Sequence, residues 1–446
     1  MTSPNHTTRQ QCRGRTRTVA LVALACLLVL AACSPRPSRK VAIIGWDGAS
    51  WAVIDPLLHE GRLPNLKRLL ERGSRGVLVA TPPFFSPTLW TTLATGFGPR
   101  EHGVTGFELP GPRGERNVLA STFHRRRAPV WRIASEAGLH VGFVGWWTTW
   151  PAERVDGYIV SDHLAYNRWG EWSRLAQGGG QHLTYPPDLV EELEPHAVRP
   201  ESLAVETLTA LAPFNDVERK EMMDAERPII FHGPSVFRFG YSTDASNVGF
   251  ASHLLDSREQ PDLLGMVFIL GDVAGHVFWH HYEPSDFGLS AGSPSHLREA
   301  IPNVYRQLDA WTGEILERLD PETLVIVVSD HGMRAGERLP VPRRNPAGDH
   351  DPEGILVVSG PGVPAGASFG KASMLDFAPT LLTLLGLPVA EEMPGQVIEA
   401  VLPADLGERP APVASYGEGR PEFAPETSSP GEQDYLERLR ALGYIQ

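Results

Sequence analysis

The chain has 446 residues, 42% of them hydrophobic and 21% charged, with a formal net charge of −13. That length and composition suit a large globular α/β protein and exclude general disorder. The acidic balance excludes a protein that coats nucleic acid, because phosphate backbones select basic surfaces, although a small anion can still bind where metal ions set the local field.

The first stretch is not part of a folded domain. Arg9, Arg13, Arg15 and Arg17 precede the apolar run Val19 to Leu30, which is short for a membrane span and fits a signal-peptide core. The run ends in Leu30-Ala31-Ala32-Cys33, which resembles the lipobox of bacterial lipoproteins. That resemblance implies a signal peptide over residues 1–32 and a lipid on Cys33. It also implies an extracytoplasmic protein anchored to the bacterial cell envelope. Residues 33–40 read as a polar tether. Cys12 and Cys26 leave with the leader, so no internal disulfide can form in the mature chain.

Lys40 to Gly45 is a continuous apolar run that predicts a buried parallel strand. It ends at Trp46-Asp47-Gly48, the carboxyl end where open α/β sheets bind ligands. A helix follows through Leu63, Leu66, Leu69 and Leu70, closed by Gly73 and Gly76. Phe84 to Gly96 predicts another helix, with Pro87 suited to its first turn and Gly96 to its stop. Ser86 then stands at the N-terminal mouth, where N–H groups and the helix dipole favour an anion; alone, it reads as an N-cap.

Val130 to Ala137 predicts a helix and His140 to Gly145 a second buried strand. Residues 167–250 carry Gln177-Gly178-Gly179-Gly180 and acidic amphipathic stretches, and read as a helix-rich cap over the sheet edge. Strands return at Leu263 to Leu270 and Thr323 to Ser329, around a long helix from Ser295 to Leu319. A proline-rich loop, Leu339 to Pro352, precedes the strand Gly354 to Val358, and Met374 to Leu385 forms an apolar helix ended by Gly386. The domain thus spans 41–401, and 402–446 is an irregular tail with a closing helix at Gln433 to Leu442. Strands alternating with helices predict a mostly parallel sheet covered on both faces.

Acidic residues and histidines recur just after the predicted strands. Asp47 follows the first, Asp272 and His276 follow the 263–270 strand, Asp330-His331 follows the 323–329 strand, and His350 precedes the 354–358 strand. Asp272 and His276 are four apart and share a face on a helical turn. Carboxylate with imidazole suits zinc and related divalent ions. Each residue alone has a structural reading as a turn or surface residue, but together with Ser86 they match the needs of two adjacent metal sites.

Asp47-Gly48, the Ser86 helix ending Thr95-Gly96, Asp272-x-x-x-His276, Asp330-His331-Gly332 and His350, in that order, resemble the alkaline phosphatase superfamily. The branch most similar is the type I phosphodiesterase/nucleotide pyrophosphatase group, over about Val41 to Leu387. The resemblance implies a three-layer α/β/α sandwich of the alkaline phosphatase type and two divalent ions, zinc first, with manganese or iron as alternatives. Asp272, His276 and His350 would hold one ion; Asp47, Asp330, His331 and the Ser86 oxygen would hold the other. Ser86 would be the covalent nucleophile, with Thr88 in reserve. The N–H groups after Ser86 would bind a non-bridging oxygen, and the substrate would be a small phosphate ester.

Phe107 stands where nucleotide pyrophosphatases place a phosphate-binding Asn. Thr88 and Trp90 replace the Pro or Ala and the Arg expected of a sulfatase. No arginine matches the clamp of true alkaline phosphatases, which favours diesters. The alternatives are a phosphomonoesterase, a phosphonate hydrolase and a non-catalytic ligand-binding lipoprotein. Trp146 and Trp147 follow a strand end and could line a substrate pocket or pack in the core. His280-His281 read as surface or supporting residues, His102 as structural, and Arg125-Arg126-Arg127 as a solvated loop with anion steering as its alternative.

Overall fold

Apolar runs long enough to be buried on both faces form the middle of the sheet. The computed structural model describes residues 39–110, 117–166, 182–224, 233–288, 295–336 and 348–419. The expected leader, Cys33 and the closing helix at 433–442 lie outside the described residues. The strands are β1 (Val41–Trp46), β2 (Gly73–Val79), β3 (Glu108–Pro110), β4 (Asn117–Leu119), β5 (Val141–Val144), β6 (Gly157–Val160) and β7 (Thr184–Tyr185). They continue as β8 (Leu263–Phe268), β9 (Leu324–Val328), β10 (Gly332–Ala335), β11 (Gly348–Asp351), β12 (Glu353–Ser359) and β13 (Ala367–Ser373).

The main sheet has the order β13-β2-β12-β9-β1-β8-β5-β6-β7. Its centre, from β9 through β6, is parallel, while β12 and the edge strand β7 run antiparallel to their neighbours. Side chains alternate between two cores. Ala42 and Ile44 of β1 join one, with helices α1 (Trp51–His59), α2 (Pro64–Glu71), α5 (Gly233–Ser257), α6 (Leu270–Tyr282) and α7 (Ala300–Leu316). Val41 and Ile43 join the other, with α3 (Ser86–Thr95), α4 (Val130–Glu136) and α8 (Phe377–Leu384). Helices therefore cover both faces, as period-2 burial of a doubly apolar strand requires.

Four readings of the sequence are corrected. Gly73 and Gly76 do not close a helix: α2 ends at Glu71, and Gly73–Val79 is β2, held between β12 and β13. Its glycines and arginine mask the apolar pattern of a strand. Residues 348–351 are not loop but β11, paired with β10. The described part of the 167–250 stretch does more than cap the sheet edge: Thr184–Tyr185 pairs with β6 as the edge strand β7, and the helical part lies on a face of the sheet. Leu208, Phe214, Phe237 and Phe250 join the same core as Ala42 and Ile44. Finally, Arg125 is no solvated side chain; it is fully buried against Glu153.

Candidate active site

Three neighbouring strands end together. Gly45 of β1 pairs with Val328 of β9, and Trp46 pairs with Phe268 of β8. The residues that follow, Asp47, Asp330 and His331, and the first turns of α6 therefore emerge side by side at the carboxyl edge. The turn after β1 is tight. Gly48 has φ +71, and a Cβ there would lie 2.8 Å from Asp272 Cα, so the backbones of this turn and α6 touch. Ser329 Oγ accepts from Ala49 N and donates to His331 O, which ties the β1 and β9 turns together.

On α6, Asp272 and His276 meet as their i, i+4 spacing predicts, with Oδ1 to Nε2 at 3.2 Å. His276 Nδ1 donates to Gly348 O at 2.9 Å, which turns Nε2 toward the cluster. His350 arrives by strand pairing: it sits opposite Met333 in the β10–β11 hairpin, and its Nε2 lies 3.2 Å from His276 Nε2 and 3.7 Å from Asp272 Oδ1. His331 donates through Nδ1 to Gly332 O and points Nε2 at Asp47 Oδ1 (3.3 Å), Asp330 Oδ2 (3.7 Å) and Asp272 Oδ1 (3.7 Å). The structure thus brings together all six expected carboxylate and imidazole side chains.

Several buried polar atoms of the cluster make no hydrogen bond. Asp47 Oδ1, Asp272 Oδ1, both Asp330 oxygens and His331 Nε2 are buried without a hydrogen-bond partner in the structure, a costly arrangement unless a cation occupies it. Burial opposes charge on the His331 ring, yet Asp330, Asp47 and Asp272 overcome it and push its pKa up to about 10. Burial and the neighbouring Asp47 raise Asp330 well above the carboxylate range. His350 goes the other way, down to about 2, through burial and the positive charge on His331 and His276. Two triads, Asp47/Asp330/His331 and Asp272/His331/His350, have ligand atoms close enough to share an ion. The donor set fits divalent metals of the zinc type.

Ser86 is buried at the first position of α3, and the cap position belongs to Phe85, which makes no side-chain cap. α3 stops at Gly96 with φ +75. The N–H groups after Ser86 are not free for an anion: Pro87 has none, while Thr88 and Leu89 donate to Phe85 O at 2.8 and 3.0 Å. That corrects the expected oxyanion contact. Thr88 is fully buried. The two tryptophans part. Trp146 is core, edge-on to Trp90 and Phe143, and does not line an opening. Trp147 packs on Phe107, which packs on Phe85 beside Ser86.

His102 is buried, accepts from Val104 N and contacts Thr92 Oγ1, a structural role. His280 and His281 are half-buried, with His281 Nδ1 bonded to Ser295 Oγ. Two residues escaped the sequence reading. Asp244 of α5 accepts from Ile269 N and Leu270 N and so holds the start of α6. Trp90 donates through Nε1 to Asp47 Oδ2 at 3.0 Å. The available signal for Trp90 was its place one turn after Ser86; Asp244 offered none, since its partners lie 25 and 26 residues away.

Comparison with known proteins places the family and the fold. The family model described as "Type I phosphodiesterase / nucleotide pyrophosphatase" matches residues 41–344. Among solved structures, alkaline phosphatase PafA is similar at a TM-score of 0.51 and 12% identity, covering 82% of this chain and 100% of that one. Murine ectonucleotide pyrophosphatase/phosphodiesterase 5 is similar at 0.46 and 13%, covering 78% and 95%. Phosphonoacetate hydrolase from Sinorhizobium meliloti 1021 is similar at 0.40 and 18%, covering 67% of this chain, which spans 57% of that enzyme's length. No curated protein matches by sequence. At these identities the structural likeness bears on the fold alone, and the fold is that of the alkaline phosphatases.

Proposed function

The chain belongs to the type I phosphodiesterase/nucleotide pyrophosphatase family, and from that premise we propose a two-metal hydrolase of phosphoric esters, a phosphodiesterase with Ser86 as nucleophile. The observation that carries this reading is the convergence, beyond the central strands, of buried oxygens and a nitrogen from Asp47, Asp272, Asp330 and His331 that make no hydrogen bond. Asp272, His276 and His350 would hold one ion, and Asp47, Asp330, His331 and the Ser86 oxygen the other, with zinc the best match to the donors. Bound there, the two cations supply Lewis acidity that acidifies the serine hydroxyl and neutralises the attacking and leaving oxygens.

Ser86 Oγ forms a bond to phosphorus as the bond from phosphorus to the leaving oxygen breaks; the hydroxyl proton passes to solvent, and the departing oxygen takes up a proton from solvent to leave as the alcohol. Hydrolysis of the phosphoseryl ester then restores the hydroxyl and releases the phosphate monoester. His276 and His331 keep Nε2 on the cluster through their Nδ1–H bonds to Gly348 O and Gly332 O. The diester preference is supported by the apolar ring of Phe85 next to Ser86, which continues through Phe107 to Trp147; Arg125, the buried arginine, is paired with Glu153. A dianionic monoester needs more charged partners than a monoanionic diester does.

Envelope anchoring through a lipid on Cys33 belongs to the same proposal and rests on Leu30-Ala31-Ala32-Cys33. Hydrolysis of bis-p-nitrophenyl phosphate beside p-nitrophenyl phosphate, before and after chelation and with Ser86→Ala, tests the enzyme. Chelator-sensitive cleavage that favours the diester and falls at least about 10³-fold in Ser86→Ala is expected. Preference for the monoester makes it a phosphatase, and full activity in Ser86→Ala removes the nucleophile. Loss of detergent-phase partitioning in Cys33→Ala tests the anchor.

A further inference from the structure

Asp47 has two oxygens in different situations. Oδ2 accepts the Trp90 indole N–H at 3.0 Å, while Oδ1 has no hydrogen bond and faces His331 Nε2 at 3.3 Å. The indole therefore sets the rotation of the carboxylate and leaves one oxygen for a cation. Trp90 lies four residues after Ser86, so on α3 the two side chains share a face. Whatever fixes Trp90 against Asp47 therefore also constrains α3, the helix that begins at Ser86.

The indole itself has no freedom. A Cβ on Gly45 would lie 2.4 Å from its Cη2 and 2.8 Å from its Cζ3, so the benzo edge of the ring abuts the bare backbone of β1. Trp146 meets it edge-on at 5.0 Å and donates to Trp90 O at 3.3 Å. Both Trp90 and Asp47 are all but fully buried, so their bond is made away from competing water.

We propose that Trp90 is a positioning residue that presents Asp47 as a one-oxygen metal ligand and sets the Ser86 helix over it. This rests on the roles given above to Asp47 and Ser86. A purely space-filling tryptophan would need the ring and not the N–H. Donors of this kind, one bond removed from a metal, are worth about 10- to 100-fold in metal affinity.

The test uses the full chain in detergent, with Trp90→Phe and with benzothienylalanine at position 90, which keeps the ring shape and removes the donor. Zinc stoichiometry and affinity are read by chelator competition, stability by urea unfolding, and kcat and KM on bis-p-nitrophenyl phosphate. Wild type is expected to bind two zinc ions. The benzothienyl variant is expected to keep the wild-type unfolding midpoint in the zinc-free state. It loses about 10- to 100-fold in affinity at one ion and not at the other, with kcat lowered more than KM is raised. Zinc affinity unchanged from wild type at both ions in that variant overturns the proposal and leaves the phosphodiesterase reading intact. Equal losses at both ions, tracking a loss of stability, reduce Trp90 to core packing and also overturn it. A wild-type chain that binds no zinc overturns the functional reading, and this inference with it.

Discussion

Replacing Arg125 with methionine would strip a buried carboxylate of its counter-charge. Arg125 is fully buried; one nitrogen pairs with Glu153 Oε2, and another donates to Thr148 O at 3.0 Å. Among the described residues, Glu153 keeps the Trp131 indole, at 3.0 Å, if the guanidinium goes. Breaking one side of such a pair costs about 3–5 kcal/mol, because the remaining charge cannot regain water. Arg125→Met/Glu153→Leu removes both charges and leaves unpartnered only neutral groups, Trp131 N–H and Thr148 O. Its cost is therefore about 1–3 kcal/mol for each group orphaned, offset by better apolar packing. Urea unfolding at fixed zinc, run as a double-mutant cycle, should give a double mutant no worse than either single. Arg125→Met within about 1 kcal/mol of wild type, or strictly additive singles, would refute the buried pair.

Further outcomes follow from other buried groups. His102 is held near pKa 3 by burial and then by Arg125, and its Nδ1 accepts from Val104 N. Because the unfolded histidine takes up a proton first, stability falls as pH drops from about 6.5 toward 3, by about 2 kcal/mol at pH 5; urea midpoints at pH 7 and 5 should converge in His102→Gln relative to wild type. Asp244→Ala orphans Ile269 N–H and Leu270 N–H at the start of α6, at about 1–3 kcal/mol each, with faster amide exchange there as the readout. Gly45→Ala drives a methyl into the Trp90 ring, at about 1–3 kcal/mol by thermal unfolding, and lowers zinc affinity in the same sense as loss of the indole donor.

The amino-acid sequence determined what is local. The short apolar runs of β1, β8 and β9, together rich in β-branched residues, announce strands covered on both faces. Pro87 and Gly96 mark the ends of α3, and the four-residue spacing of Asp272 and His276 places them on one face. Which strands lie side by side is a different kind of information. Only the folded sheet sets β9, β1 and β8 next to one another, so that residues 47, 272, 330 and 331 share a site. Likewise β11 carries His350 to the cluster by pairing with β10, and its Gly-Asp-His-Asp sequence has no apolar periodicity to betray a strand. Burial of a charge depends on a partner far along the chain: Arg125 finds Glu153 28 residues on, and Asp47 finds Trp90 at a distance of 43. Periodicity records whether a side chain is covered, while the identity of what covers it is settled by tertiary packing alone.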